Sequence, residues 1–204
     1  MKQRLKAEDR KTSILERSKG LFAQKGLHGV SVSEIAEECK VSPAVLYQHF
    51  PSKEMLYEAV IQGFACKRDD YVDAVLAGPP DFPNVLYRMT VVFVKSRIAD
   101  PDLVRIELRA LIDNSDVSEQ FFINHWQGLT DYIQFSLKEI QQSGPLQDID
   151  GRIAALSYVG LVREIVLAQS LQYPNQTGEL GVEYLVKNTL NLYLRGLGLE
   201  PLQW

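Results

Sequence analysis

The chain has 204 residues, 46% of them hydrophobic and 24% charged, which is typical of a soluble globular protein. Its two cysteines are too few for a disulfide framework and lack the spacing of metal ligands. The net charge of −4 is unfavourable for binding nucleic acid, but residues 1–66 carry ten Lys and Arg against eight Asp and Glu. Residues 67–204 carry twelve against eighteen, so the positive charge lies in the N-terminal part of the chain.

The first element is a basic segment followed by a long helix. The basic side chains of this segment are Lys2, Arg4, Lys6, Arg10 and Lys11. A flexible arm of this kind reaches a DNA phosphate or a minor groove, and a solvated tail explains it equally well. The periodicity then predicts a helix over residues 9–25, with an apolar stripe that includes Ile14 and Phe22. Gly26 stands where a helix end favours a left-handed residue.

Residues 31–53 predict two short helices with a tight turn between them. Ser31 and Glu34 have the spacing of a capping box, so a helix begins near Val32. Ser42 followed by Pro43 is a second helix start, because proline at the first helical position sacrifices no hydrogen bond. Two helices of about two turns joined in this way form a helix-turn-helix, whose second helix enters the major groove.

The second short helix has one buried side and one free side. Leu46 and Phe50 are four residues apart and point into the core, which leaves the other side chains available to DNA. Ser52 then caps a further helix that begins at Lys53, and a helix N-terminus next to a lysine is a natural phosphate site. The candidate DNA-binding residues are Ser31, Ser42, Pro43, Ala44, Val45, Tyr47, Gln48, His49 and Lys53.

The run ILERSKGLFAQKGLHGVSVSEIAEECKVSPAVLYQHFPSKEMLYEAV resembles the N-terminal domain of the TetR family of bacterial transcriptional regulators. The resemblance implies phosphate contacts for Tyr47, His49 and Lys53, and base-edge or backbone contacts for residues 42–45 and 48. Two positions depart from the family pattern. Lys40 stands where glycine is usual, which costs about 1 kcal/mol if the turn needs a positive φ. Val45 replaces a common Thr or Ser and offers only a methyl contact, for example to thymine.

The rest of the chain predicts further helices and no strands, so the fold class is all-α. The expected helices span about 53–76, 83–99, 101–112, 118–143, 149–172 with Asp148 as its cap, and 179–195. We expect a helix-turn-helix DNA-binding domain over residues 1–54 with a basic arm. A larger helical effector-binding and dimerisation domain follows over residues 55–204.

The last two helices are too apolar to stay exposed to water. The resemblance implies that they pair with their symmetry mates as a four-helix bundle. Dimerisation also follows from physics, because two recognition helices about 34 Å apart read a palindrome. A purely intramolecular core is the alternative. The candidate dimer residues are Ile153, Ser157, Gly160, Leu161, Leu185, Thr189 and Leu192.

Aromatic side chains and a few polar groups share the middle helices. An apolar cavity with polar anchors is the usual form of a small-molecule site, although aromatics at helical spacing also fit a plain core. The resemblance implies an inducer or co-repressor in the C-terminal domain. The candidate ligand residues are Phe93, Arg97, Glu107, Phe122, His125, Trp126, Arg163 and Glu164.

The sequence therefore predicts a ligand-responsive transcriptional repressor that binds palindromic double-stranded DNA as a homodimer, with a small-molecule effector of unknown identity. The alternative is a nucleoid-associated DNA-binding protein whose C-terminal domain binds a protein partner. No catalytic residue set, metal site or cofactor motif is recognised. No signal peptide and no apolar run of about 18 residues is found, so we expect a cytoplasmic protein without a membrane partner.

Overall fold

The computed structural model describes residues 7–62, 68–113, 116–144, 149–171 and 180–203. Within these ranges the chain forms ten α-helices and no strand, which confirms the all-α class. The helices are α1 Ala7–Lys25, α2 Val32–Glu38, α3 Pro43–His49, α4 Lys53–Gln62, α5 Arg68–Leu76, α6 Phe82–Ile98, α7 Pro101–Asp113, α8 Asp116–Ser143, α9 Gly151–Ser170 and α10 Val182–Gly196.

The chain divides into two compact units, each with its own packing. Residues 1–65 and 102–122 form the first unit, and residues 66–101 and 123–204 form the second. This packing division differs from the functional boundary expected after residue 54. In the first unit Ile106 of α7 is fully buried in the core, and Arg109 donates a hydrogen bond to the Ala23 carbonyl at the end of α1 (2.9 Å).

The core of the first unit explains why three short helices hold their arrangement. Phe22 of α1 meets Tyr57 of α4 edge to face, with ring centroids 5.0 Å apart, and both side chains are buried. Ile35 of α2, Leu46 of α3 and Phe50 belong to the same cluster. Edge-to-face contacts add about 0.5–1.5 kcal/mol to the gain from burial. The two helices of the helix-turn-helix are therefore held by a core that they share with α1 and α4.

Helix α6 is the centre of the second unit and packs against α5, α9 and α10. The buried Thr90 and Tyr158 hydroxyls are 2.8 Å apart and join α6 to α9. The Tyr193 hydroxyl donates to the Ala154 carbonyl (3.0 Å) and joins α10 to α9. Burial raises the pKa of the Tyr158 and Tyr193 hydroxyls, so both stay protonated and serve as donors.

Several helix boundaries differ from the sequence prediction, including the starts of α1 at residue 7 instead of 9 and of α8 at residue 116 instead of 118. Helix α9 begins at Gly151, and its cap is Asp150 instead of Asp148, which lies outside the described residues. The Asp150 carboxylate accepts from the Arg152 amide (2.8 Å), and the Arg152 hydrogen bonds lower its pKa to about 2. Helix α10 begins at residue 182 rather than 179. The helix predicted over 53–76 is described as α4 and α5, and residues 63–67 lie outside the described part.

By length and composition α9 is also apolar enough to cross a membrane, because an 18-residue stretch of it has a mean hydropathy of 1.3. It is the single such helix among the described residues, and 44% of that stretch is buried inside the protein. A core helix passes the same test, so this property alone does not place the chain in a membrane. It does show that α9 has apolar surface beyond what its own unit covers.

Candidate nucleic-acid interface

The predicted capping box at the start of α2 is confirmed. The Ser31 hydroxyl accepts from the Glu34 amide (3.2 Å), and the Glu34 carboxylate accepts from the Ser31 amide (2.8 Å). Lys25 adds a hydrogen bond to that carboxylate (2.7 Å). This bond, followed by those from Ser31, lowers the pKa of Glu34 to about 2. The cap therefore remains ionised at neutral pH and fixes where α2 begins.

The turn after α2 is closed by two backbone hydrogen bonds. The Lys40 amide donates to the Glu37 carbonyl (3.0 Å), and the Val41 amide donates to the Ala36 carbonyl (3.0 Å). This pair of bonds is the Schellman motif, whose central residue is left-handed and usually glycine. Here it is Lys40, with φ of 55°. The sequence left open whether this turn needs a positive φ; the structure shows that it does, at a cost of about 1 kcal/mol for a residue with a side chain.

The recognition helix α3 presents its predicted contact residues on one side. The Ser42 hydroxyl caps it by accepting from the Val45 amide (3.3 Å), and Leu46 is buried. Tyr47 is 49% exposed. Of the other five candidates on this helix, Pro43, Ala44 and Gln48 are exposed, whereas Val45 and His49 are half-buried.

Lys53 is held in place by the protein itself. Its ammonium group donates to the Val30 carbonyl (2.9 Å), just ahead of α2. Ser52 caps α4, because its hydroxyl accepts from the Met55 amide (3.1 Å). A lysine ammonium has three donors, and the Val30 bond uses one of them. The geometry therefore fixes the Lys53 charge beside the N-terminus of α4.

The sequence did not predict an open cleft of about 420 Å³ that separates α1 from the turn and from α3. Three positive side chains line it, namely Arg10, Arg17 and Lys40. The Cys39 thiol lies on its inner side and is buried next to the Ser18 hydroxyl (3.7 Å). Burial raises the pKa of this thiol, so it behaves as a small apolar group. Only the fold brings α1 and the turn together, which explains why no local pattern indicated the cleft.

The second unit gathers four of the predicted ligand residues. Phe93 and Trp126 have ring centroids 4.5 Å apart. The Arg97 guanidinium lies over the Phe93 ring at 5.3 Å, and the Arg163 guanidinium lies over the Trp126 ring at 5.7 Å. Arg97 is only 2% exposed. The result is an aromatic pair flanked by two cations.

The other four ligand candidates are Glu107, Phe122, His125 and Glu164. Glu107 belongs to the first unit, and Glu164 is exposed. The side chains of Phe122 and His125 lie outside the described residues. In the described ranges no group of three or more His, Cys, Asp and Glu side chains is arranged to hold a metal.

The dimer candidates lie on the exposed sides of α9 and α10, and none of them is buried. Exposure is 60% for Ile153 and 70% for Leu192, and Leu156 of α9, which is not among the candidates, is 68% exposed. Among the other candidates Ser157 and Gly160 are exposed, Leu161 is 38% exposed, and Leu185 and Thr189 are half-buried. A methyl group added at Gly160 would meet no atom within 4 Å. This surface is therefore open in the single chain.

The helix-turn-helix part of the chain is similar to known bacterial transcriptional regulators. The family model described as "Bacterial regulatory proteins, tetR family" matches residues 14–60. The uncharacterised HTH-type transcriptional regulator YuxN of Bacillus subtilis is 31% identical over 103 residues, which are 50% of this chain and 35% of YuxN. The chain thus matches about a third of that relative's length.

Two solved structures have a similar fold over nearly the whole chain. A TetR-like transcriptional regulator from Rhodococcus sp. RHA1 has a TM-score of 0.69 at 21% identity, covering 96% of this chain and 99% of that one. The structure of AibR has a TM-score of 0.68 at 19% identity, covering 90% and 97%. At these identities the likeness shows the fold alone.

Proposed function

Because residues 14–60 match the family model of TetR bacterial regulatory proteins, we propose that this chain is a TetR-family regulator, a ligand-responsive repressor that binds palindromic operator DNA as a homodimer. The observation that carries the proposal is the exposed side of α3, where Pro43, Ala44, Tyr47 and Gln48 stand clear of the core. A helix of this size in a helix-turn-helix inserts its N-terminal residues into the major groove.

The DNA contacts divide by chemistry into two classes. Tyr47, His49 and Lys53 donate hydrogen bonds to backbone phosphates, which fix position without reading sequence. Gln48 reads a base edge, because its amide pairs with adenine, and Val45 offers its methyl groups to thymine. Ser31 and Ser42 hold their helices by capping, and their exposed side chains lie at helix N-termini where phosphates bind.

Two-fold symmetry follows from the limited reach of one recognition helix. The apolar surface of α9 and α10 forms the dimer interface, with Ile153, Ser157, Gly160, Leu161, Leu185, Thr189 and Leu192 as contact residues. Burial of exposed leucine and isoleucine side chains is the main driving force for such association. Two recognition helices one DNA turn apart then match a palindrome.

The effector binds in the C-terminal domain, at the cluster of Phe93, Trp126, Arg97 and Arg163. Aromatic faces with a few charged anchors are the usual chemistry of a small-molecule site. AibR, which shares the fold, was solved with isovaleryl coenzyme A and operator DNA. We assign DNA binding to residues 1–54. We assign effector binding and dimerisation to residues 55–204.

We assign the protein no catalytic activity, metal or cofactor, and place it in the cytoplasm beside the chromosome. TetR-family regulators act by binding DNA, and a repressor blocks promoter access by occupying its operator. The effector releases it by binding one arrangement of the dimer more tightly than the other.

The test is selection of bound sequences from random DNA with purified protein, followed by affinity measurements on the best site. Tyr47→Phe removes only a hydroxyl, and Tyr184→Phe is its control because both tyrosines are 49% exposed. We expect Tyr47→Phe to weaken binding roughly tenfold on every site, as the loss of a hydrogen bond to a charged group predicts. The control should bind like the parent.

Gln48→Ala tests base reading separately from phosphate contact. It should change preference at one base position of each half-site by about 1–3 kcal/mol, whereas Gln127→Ala on the exposed side of α8 should not. A selection that returns no enriched sequence would reject operator binding. An enriched sequence without two-fold symmetry would reject the palindromic dimer.

A further inference from the structure

The same helix-ending motif follows two of the described helices, α2 and α10, with different central residues. After α10, the Gly198 amide donates to the Arg195 carbonyl (3.0 Å) and the Leu199 amide donates to the Leu194 carbonyl (2.9 Å). Gly198 has φ of 75°, and it is the residue type that this backbone favours. After α2 the equivalent residue is Lys40, with φ of 55°. The backbone conformation at this position favours glycine and does not explain why a lysine is present. The reason for the lysine must therefore lie in its side chain.

The Lys40 side chain lines the cleft that separates α1 from the turn and from α3. Arg10, Ser13 and Arg17 line it from α1. Arg17 donates to the Glu38 carbonyl (3.3 Å), and the Glu38 carboxylate lies 4.0 Å from the same guanidinium. The eight residues that line the cleft include three cations and no carboxylate, so the lining carries a net positive charge.

The cleft also adjoins the recognition helix, because Val45 of α3 forms part of its wall. A duplex seated on the exposed side of α3 brings its backbone next to this wall. Guanidinium and ammonium groups with a hydroxyl are the donors that bind phosphate. We propose that Lys40, with Arg10 and Arg17, binds one DNA backbone phosphate in this cleft. The proposal rests on the DNA binding proposed above and adds a contact that the glycine usual at this position could not make.

Three substitutions at Lys40 separate its charge from its backbone. Lys40→Gln removes the charge but keeps a side chain at the left-handed position, Lys40→Arg keeps the charge, and Lys40→Gly removes both the charge and the strain. The control is Lys138→Gln, which removes an exposed charge from α8 in the second unit. Affinity for the selected operator is measured by fluorescence anisotropy over a range of salt concentrations, and stability is measured by urea unfolding.

We expect Lys40→Gln and Lys40→Gly to weaken operator binding roughly threefold to tenfold near physiological salt, equally on specific and random DNA. The slope of log affinity against log salt should fall by about one for each bound protomer. Lys40→Arg and Lys138→Gln should keep the parent's slope. Lys40→Gly should at the same time unfold at higher urea than the parent, so stability and DNA affinity move in opposite directions.

This inference is overturned if Lys40→Gln and Lys40→Gly keep the parent's slope of log affinity against log salt. The operator used must be one that Tyr47→Phe binds more weakly than the parent does. That outcome leaves the proposed function standing, with Lys40 as a strained residue outside the DNA contact. A parent protein that binds no DNA rejects the proposed function itself, and the two failures are therefore distinguishable.

Discussion

Replacing Leu156 with glutamate should dissociate the proposed dimer without unfolding the chain. Leu156 is 68% exposed on α9 and lies about one turn after Ile153, which is 60% exposed. A carboxylate is tolerated there in the single chain, because it faces solvent. In a symmetric interface the same carboxylate is buried and meets its symmetry-related surface.

The size of the effect follows from the exposed fraction. Full burial of a leucine is worth about 1.5–3 kcal/mol, so Leu156 has roughly 1–2 kcal/mol left to gain on association. Because a two-fold interface contains Leu156 from both protomers, the total gain is about 2–4 kcal/mol per dimer. At about 1.4 kcal/mol per tenfold change, the dimer dissociation constant should rise roughly 30- to 1000-fold. Burial of the new charge adds to this figure.

Sedimentation velocity over a range of concentrations measures the dissociation constant, and urea unfolding checks that the protomer stays folded. Phe135→Glu is the control, because Phe135 is 66% exposed on α8 and lies outside the proposed interface. A parent chain that is monomeric, or a Leu156→Glu variant as dimeric as the parent, would refute the assignment. Dissociation by Phe135→Glu instead would move the interface to α8.

Two further predictions concern the cap of α2 and the hydroxyl pair of the second unit. The Lys25 hydrogen bond and those from Ser31 lower the pKa of Glu34 to about 2, below its unfolded value of about 4.3. The stability difference between parent and Glu34→Gln should thus be full above pH 5 and vanish as pH falls towards 2 in urea unfolding. The Thr90 hydroxyl already donates to a helix carbonyl (2.6 Å), so the Tyr158 hydroxyl must be the donor between the two. Thr90→Val then leaves a buried donor without its acceptor and should cost about 1–3 kcal/mol, more than Tyr158→Phe at about 1 kcal/mol; the reverse order in urea unfolding would contradict this direction.

The helix-turn-helix was predictable because its determinants are local. The Ser31 and Ser42 caps and the proline at position 43 act within one turn of their own helix, so a single sequence reveals them. The α9 start was misplaced by two residues because Asp148 and Asp150 are both acceptable caps, and local sequence does not choose between them.

Long-range partners could not be predicted in this way. Helix α7 was expected in the effector domain, yet Ile106 and Arg109 pack it with α1 in the first unit. An amphipathic pattern shows which face of a helix is buried but not which helix covers it. The basic cleft was missed for the same reason, since Arg10 and Lys40 are thirty positions apart in the sequence. The cluster around Phe93 and Trp126 was anticipated only as a set of aromatics.

Lys40 and Arg97 break local rules that the rest of the helices follow. One places a side chain in a left-handed conformation, and the other places a guanidinium at 2% exposure, where desolvation is costly even for a paired charge. Natural chains tolerate such costs mainly where function requires them. The two residues lie in different units: Lys40 beside the recognition helix and Arg97 against the aromatic pair. Each unit thus contains a position where stability is sacrificed, and at these two positions we place the phosphate and the effector. If Lys40→Gly both stabilises the protein and weakens DNA binding, the same reasoning predicts that Arg97→Met keeps the fold and abolishes the response to effector.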